Sequence, residues 1–191
     1  MEENEVSKRV KVEVMEVEKL RLEIHNWTEW KNVNERVTEL VIPSNCCNEE
    51  EWSVLDVSEL KSLKSIEIGD WCFAKTQELK LIGLKELERV RIGHSSFAII
   101  PYNPEKDGID PYRHFYLKDC ERLRELRIGY HSFMDYSVCE IESVPSLEVI
   151  EMGNLKEGSA SFYHASLIMK SDCSVLRMMN RHAQFEISTV L

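Results

Sequence analysis

At 191 residues and 43% hydrophobic content the chain is large and apolar enough for one continuous core, which excludes a disordered polypeptide. A formal net charge of −10 with a pI near 5.2 excludes nucleic-acid backbones as the main ligand, since phosphate binding is driven by clustered Lys and Arg that release counterions. No run of about 18 apolar residues is present to span a membrane, and the opening MEENEVSKRVKVEV is charged throughout with no apolar leader, so a soluble cytoplasmic protein is expected.

From the N-terminus, Val10, Val12 and Val14, then Leu20, Leu22 and Ile24, alternate apolar with polar as strands do. Trp27, Trp30, Val33, Val37 and Leu40 follow with partly helical spacing. Trp27, Trp30 and Trp52 all precede Leu55, and residues 1–54 read as an aromatic N-terminal cap with a first irregular coil. Asn26-Trp27-Thr28 spells a glycosylation acceptor, expected to be fortuitous in a chain without a leader. The six cysteines show no CxxC spacing, and most read as small hydrophobes kept as thiols in a reducing compartment. The adjacent Cys46 and Cys47 read as loop thiols, with soft-metal binding or oxidation as the alternative.

From Leu55 the pattern becomes periodic. Leu55 and Val57 lead to Ile66 and Ile68, Leu79 and Leu81 to Val90 and Ile92, Phe115 and Leu117 to Leu126 and Ile128, and Cys139 and Ile141 to Ile150 and Met152, every step being 11 residues. The return step, from Ile66 to Leu79 or Leu126 to Cys139, is 13, which makes a coil of about 24 residues with two short strands. Three of these four second strands end in Ile-Gly-x-x-Cys/Ser-Phe, at Ile68, Ile92 and Ile128, so Phe73, Phe97 and Phe133 should stack as a spine. Leu63, Leu87, Leu123 and Leu147 should fill the corner before it, each worth roughly 1.5–3 kcal/mol of burial. The glycines Gly69, Gly93, Gly129 and Gly153 imply a turn that needs positive φ or close approach of neighbouring coils.

One interval breaks the period. The step from Val90 to Leu126 is 36 residues, and the excess is assigned to an inserted loop at about 98–114 that carries Pro101, Pro104, Gly108 and Pro111. Near the C-terminus Ser161-Phe162 stand five residues late and Leu167-x-Met169 precedes an irregular tail, so residues 55–170 read as regular coils and 171–191 as a C-terminal cap. The final Ser188-Thr189-Val190-Leu191 loosely fits a carboxylate-terminated peptide that adds to a sheet edge.

A unit this short cannot bury its apolar face alone, so the expected architecture is a β-rich solenoid with two rows of short parallel strands, forming one domain over 1–191. The run Phe115-x-Leu117-x-x-Cys120-x-x-Leu123 resembles the cysteine-containing leucine-rich-repeat consensus, and Ile-Gly-x-x-Ser-Phe resembles the Ile-Gly-x-x-Ala-Phe of BspA-like leucine-rich repeats. The resemblance covers roughly residues 37–179. It departs at the Asn/Cys ladder position, which is Leu84, Val144 or Asp172 in other coils, so the family's ladder of side-chain bonds is expected to be largely missing. What the resemblance implies is a right-handed array, α/β by family convention, whose concave parallel sheet binds another macromolecule. Both the cysteine position and the side of the insertion select the row of Leu55, Leu79, Phe115, Cys139 and Leu167 as concave. The candidate partner-binding residues are then its outward side chains Asp56, Lys80, Tyr116, Glu140 and Ile168, with His114 and Glu78 where strands begin, and Tyr102 and Tyr112 as loop contacts. On the opposite row, Glu67 should lie beside Arg91 and Arg127 beside Glu151 as a solvated ladder.

No nucleophile with a base, paired carboxylates, metal cluster or phosphate loop is spelled. His94 and His131 follow repeat glycines at different offsets, and His164 and His182 lie in the irregular end. The expectation is a non-catalytic protein-binding module with no cofactor and no metal. Its partner would be another protein, with no nucleic acid and no membrane, and self-association is open. The alternative is a structural or assembly subunit that contacts its neighbours through its ends or convex face.

Overall fold

The computed structural model describes residues 20–99, 110–153, 161–163, 165–171 and the backbone of 177–179. The strand expected at Val10–Val14, the loop contact Tyr102, His164, Cys173, His182, most of the C-terminal cap and its final tetrapeptide lie outside these residues.

The described chain is strand-rich with little helix. In order come β1 (Arg21–Glu23), α1 (Trp27–Trp30), β2 (Glu39–Ile42), a 3-10 turn (Glu50–Ser53), β3 (Val54–Asp56), β4 (Ser65–Ile68), β5 (Glu78–Ile82), β6 (Arg89–Ile92), β7 (Asp110–Lys118), β8 (Glu125–Ile128), β9 (Tyr136–Glu142), β10 (Val149–Met152), β11 (Ser166–Lys170) and β12 (Arg177–Met179). They form two parallel sheets, one of seven strands ordered β1-β2-β4-β6-β8-β10-β12 and one of five ordered β11-β9-β7-β5-β3. From β2 onward the chain visits the sheets alternately, so each parallel pair is joined by a passage through the other sheet, which provides the dozen or so residues that a parallel crossover needs.

The register matches the periodicity. Ile66 pairs with Val90, Val90 with Leu126 and Leu126 with Ile150 in one sheet. In the other, Leu55 pairs with Leu79, then Phe115, Cys139 and Leu167. Alternation turns these residues inward, where they form one buried core between the sheets. The four corner leucines are buried as expected.

The turn after each seven-stranded-sheet strand reveals why its residues recur. A Cβ on Gly69 would lie 2.5 Å from the Ser44 nitrogen, on Gly93 2.5 Å from the Gly69 carbonyl carbon, and on Gly129 2.5 Å from the Gly93 carbonyl carbon. Close approach of backbones therefore demands these three glycines. Positive φ falls mainly on non-glycine residues, at Cys47, Phe73, Phe97, Phe133 and Phe162 and, two residues earlier, at Asn45, Trp71, Ser95 and His131. A left-handed phenylalanine costs roughly 1–2 kcal/mol, offset here by stacking. Phe73 to Phe97, Phe97 to Phe133 and Phe133 to Phe162 have ring centroids 5.0, 4.7 and 4.6 Å apart and lie nearly parallel. The spine thus runs one ring beyond the three expected. Fully buried Trp52 closes its N-terminal end, edge-on to Phe73 at 5.1 Å, with Trp27 and Trp30 against Trp52.

A side-chain ladder is present at a position the family resemblance did not indicate. Ser96 Oγ donates to the Gly69 carbonyl at 2.8 Å and accepts from the Cys72 amide at 3.1 Å. Ser132 Oγ repeats this with the Gly93 carbonyl at 2.8 Å and the Ser96 amide at 3.2 Å, and Ser161 Oγ donates to the Gly129 carbonyl at 2.8 Å. The serine of each Ile-Gly-x-x-Ser-Phe element is thus a hydrogen-bonded rung between successive turns.

Two local expectations are corrected. The partly helical spacing of 27–40 yields only the four residues of α1, because Glu39–Ile42 are taken by pairing with both β1 and β4. Asn26 is the N-cap of that turn, accepting from the Glu29 amide at 3.0 Å and donating to its carboxylate at 3.0 Å. The inserted loop ends earlier than about 114, since β7 begins at Asp110 and pairs with β9 there through a bulge between Asp110 and His114.

Candidate partner-binding face

The outer side of the five-stranded sheet is built by alternation. In β5, β7 and β9 the inward residues are aliphatic, aromatic or Cys apart from buried Arg113, and every second side chain is left facing out. Register then aligns the outward residues across strands. Asp56 pairs with Lys80, Lys80 with Tyr116, Tyr116 with Glu140 and Glu140 with Ile168, so the five candidates from five strands form one row with Tyr116 at its centre. His114 lies in the neighbouring row, between Glu78 and Val138. Tyr112 is 71% exposed, near the start of β7, apart from that row.

The row is tied to a third one that the sequence reading passed over, Ile82, Lys118, Glu142 and Lys170. Lys118 bridges Glu140 and Glu142, the latter at 3.0 Å, and Lys170 reaches Glu142 at 3.4 Å. Lys80 pairs with Glu78 on its own strand. The ammonium of Lys118 stands 5.4 Å from the centre of the Tyr116 ring, and His114 Nδ1 lies 2.7 Å from the Tyr116 hydroxyl. The hydrogen bond to Glu78 raises the Lys80 pKa, and that to Glu140, then Glu142, raises that of Lys118. The hydrogen bonds from Lys118 and Lys170 hold the Glu142 carboxyl below its ordinary range. Partial desolvation, reinforced by Glu140 and Glu78, raises the Tyr116 phenol. Lys80 and Lys118 are therefore charged and the Tyr116 phenol protonated near neutrality. The signal for the third row was available, since Lys118 and Glu142 each stand two residues beyond a candidate on the same strand.

Comparisons with protein-family models, curated proteins and solved structures found no match to this chain. The chemistry of the face therefore rests on its own residues.

Arg113, assigned to the inserted loop, is a buried anchor for that face. Its guanidinium pairs with buried Asp135, donates from Nη2 to the Ala74 and Thr76 carbonyls at 2.9 and 2.8 Å, and lies 5.0 Å from the centre of the Tyr136 ring. Tyr136 donates its hydroxyl to the same Thr76 carbonyl at 2.8 Å. Burial outweighs the Arg113 charge and raises the Asp135 pKa, and Asp135 Oδ1 has no hydrogen-bond partner. This network clamps the start of β7, from which His114 and Tyr116 project.

The opposite face behaves differently. Arg127 meets Glu151 at 3.1 Å as expected, while Arg91 turns from its neighbour Glu67 to Glu125 at 3.1 Å. Burial works against ionisation of Glu125, but the Arg91 hydrogen bond and the charges of Arg127, Arg91 and Arg89 outweigh it and hold that carboxyl below its usual range. A groove of about 600 Å³ beside it is lined by Arg89, Arg122 and Arg124 but equally by Glu88, Glu125 and Glu148, a mixture that favours no ion of either sign. Among the described residues no three His, Cys, Asp or Glu side chains converge, and no helix is long and apolar enough to cross a membrane.

Proposed function

We propose that the chain is a right-handed solenoid of the leucine-rich-repeat type that acts as a non-catalytic protein-binding module, with the outer face of the five-stranded sheet as its recognition surface. The observation that carries this reading is the continuous row Asp56, Lys80, Tyr116, Glu140 and Ile168, drawn from five strands and centred on an aromatic residue. Lysines and glutamates held by mutual pairing around a half-buried tyrosine are preorganised donors and acceptors, which lowers the ordering cost of binding. Tyrosine is among the side chains that most often dominate protein interfaces. The buried free thiols Cys47, Cys72, Cys120 and Cys139 suit a reducing compartment such as the cytoplasm.

The test is capture from the source lysate by the wild type and by Lys80→Glu/Tyr116→Ala/Glu140→Lys, with circular dichroism matched between them. A protein retained by the wild type and lost by the variant supports the reading. Recovery of the same neighbours by both, or of further copies of the chain alone, overturns it in favour of an assembly subunit.

A further inference from the structure

His114 and Tyr116 stand two residues apart on β7 and meet on its outer side. The ring nitrogens of His114 have different partners, Nε2 lying 2.8 Å from the Pro111 carbonyl oxygen and Nδ1 2.7 Å from the Tyr116 hydroxyl. A proline carbonyl can only accept, so Nε2 is the protonated nitrogen. In the neutral ring Nδ1 is then a bare acceptor, and the Tyr116 hydroxyl must donate to it. A phenol has one hydrogen to give. Desolvation and the nearby carboxylates keep that hydrogen in place, so the outward side of the Tyr116 oxygen carries lone pairs only.

We infer that His114 is a positioning residue that sets the hydrogen-bond polarity of Tyr116. The face then selects a partner group that donates, such as an amide N–H or an ammonium, and switches to selecting an acceptor when His114 takes up a proton. This rests on the reading of the face as a recognition surface. In the protonated ring both nitrogens donate, Nδ1–H points at the Tyr116 oxygen, and the phenolic hydrogen is turned outward. The groups that meet the new charge are Glu78, directly across on β5, and uncharged Val138 on β9. One row along, Glu140 favours the charge while Lys80 opposes it, and in the row beyond Lys118 opposes it and Glu142 favours it. The Glu78 carboxylate is already engaged by Lys80, so protonation also pulls on that pair.

The test is NMR on the free protein with ¹⁵N in the histidine rings and ¹³C in the tyrosines. Above the imidazole titration range His114 is expected to show the Nε2–H tautomer with a hydrogen-bonded Nδ1, and the Tyr116 Cζ shift should inflect at the pH where the His114 ring titrates. His114→Gln, whose amide can donate to the Pro111 carbonyl and accept from Tyr116 but takes up no proton, should hold the Tyr116 signal flat over that range. An Nδ1–H tautomer, or a Tyr116 Cζ shift in the wild type that stays flat while His114 titrates, overturns the inference. No partner is used, so this result and the capture experiment stand or fall separately.

Discussion

Phe97 is the residue at which the stacking argument can be broken most directly. It is fully buried between Phe73 and Phe133, with centroids 5.0 and 4.7 Å away, and its φ is +56°. A core Phe→Ala change costs about 3–5 kcal/mol, and the loss of two stacked pairs, each worth about 0.5–1.5 kcal/mol beyond burial, puts Phe97→Ala near the top of that range. Domains of this kind hold about 5–15 kcal/mol in total, so much of the stability should go. Phe97→Gly removes the same ring and in ordinary backbone would be about 0.5–1 kcal/mol worse than Ala. At this φ the order should invert, because a left-handed alanine costs roughly 1–2 kcal/mol that glycine does not. Urea unfolding followed in parallel by circular dichroism and tryptophan fluorescence reads both effects. A Phe97→Ala cost below about 1 kcal/mol, well under the cavity range, would refute the spine as a source of stability. A glycine variant less stable than the alanine variant would refute the strain argument.

Gly93→Ala should destabilise by about 1–3 kcal/mol or more, as overpacking does, since its Cβ would meet the Gly69 carbonyl carbon at 2.5 Å; thermal melting checks it, and a neutral result would mean that the turns have room to part. Asp135 has a pKa raised above its ordinary value of 3.8. The stability contributed by its protonated form is therefore complete below that value and is lost as pH rises through the folded-state pKa. Asp135→Asn carries no such loss, so the gap in urea midpoint between variant and wild type should shift in favour of the variant as pH rises from 3.8 upward. A constant gap would place the Asp135 pKa at its unfolded value.

Much of the framework was legible because it follows from period. The 11- and 13-residue steps foretold which residues pair, and alternation foretold that Asp56, Lys80, Tyr116, Glu140 and Ile168 share a face, since a parallel sheet with aligned inward residues aligns the outward ones too. What was missed depends on tertiary competition. The pattern from Trp27 to Leu40 looks helical in isolation, but Leu40 and Ile42 bury more as the strand between β1 and β4. Arg113 sits two residues after a proline in a stretch without apolar period, and nothing local reveals that Asp135 and the Thr76 carbonyl will receive it. The serine ladder was visible as a repeated letter, while its role was hidden because a serine in a turn has many local uses.

The interval between Val90 and Leu126 shows where this protein can change at little cost. These residues pair as squarely as Ile66 and Val90 do, although 36 residues separate them and 24 separate Ile66 from Val90. Both sheets keep their registers across the longer connection, so the core does not record its length. Lengthening a connection is thermodynamically cheap, about 0.6 kcal/mol for each doubling, and here it opens beside β7, the strand that carries Tyr112, His114 and Tyr116. New sequence can therefore be sampled ahead of β7 while the stacked interior is kept, which separates the part of the molecule that must stay constant from the part that is free to diversify.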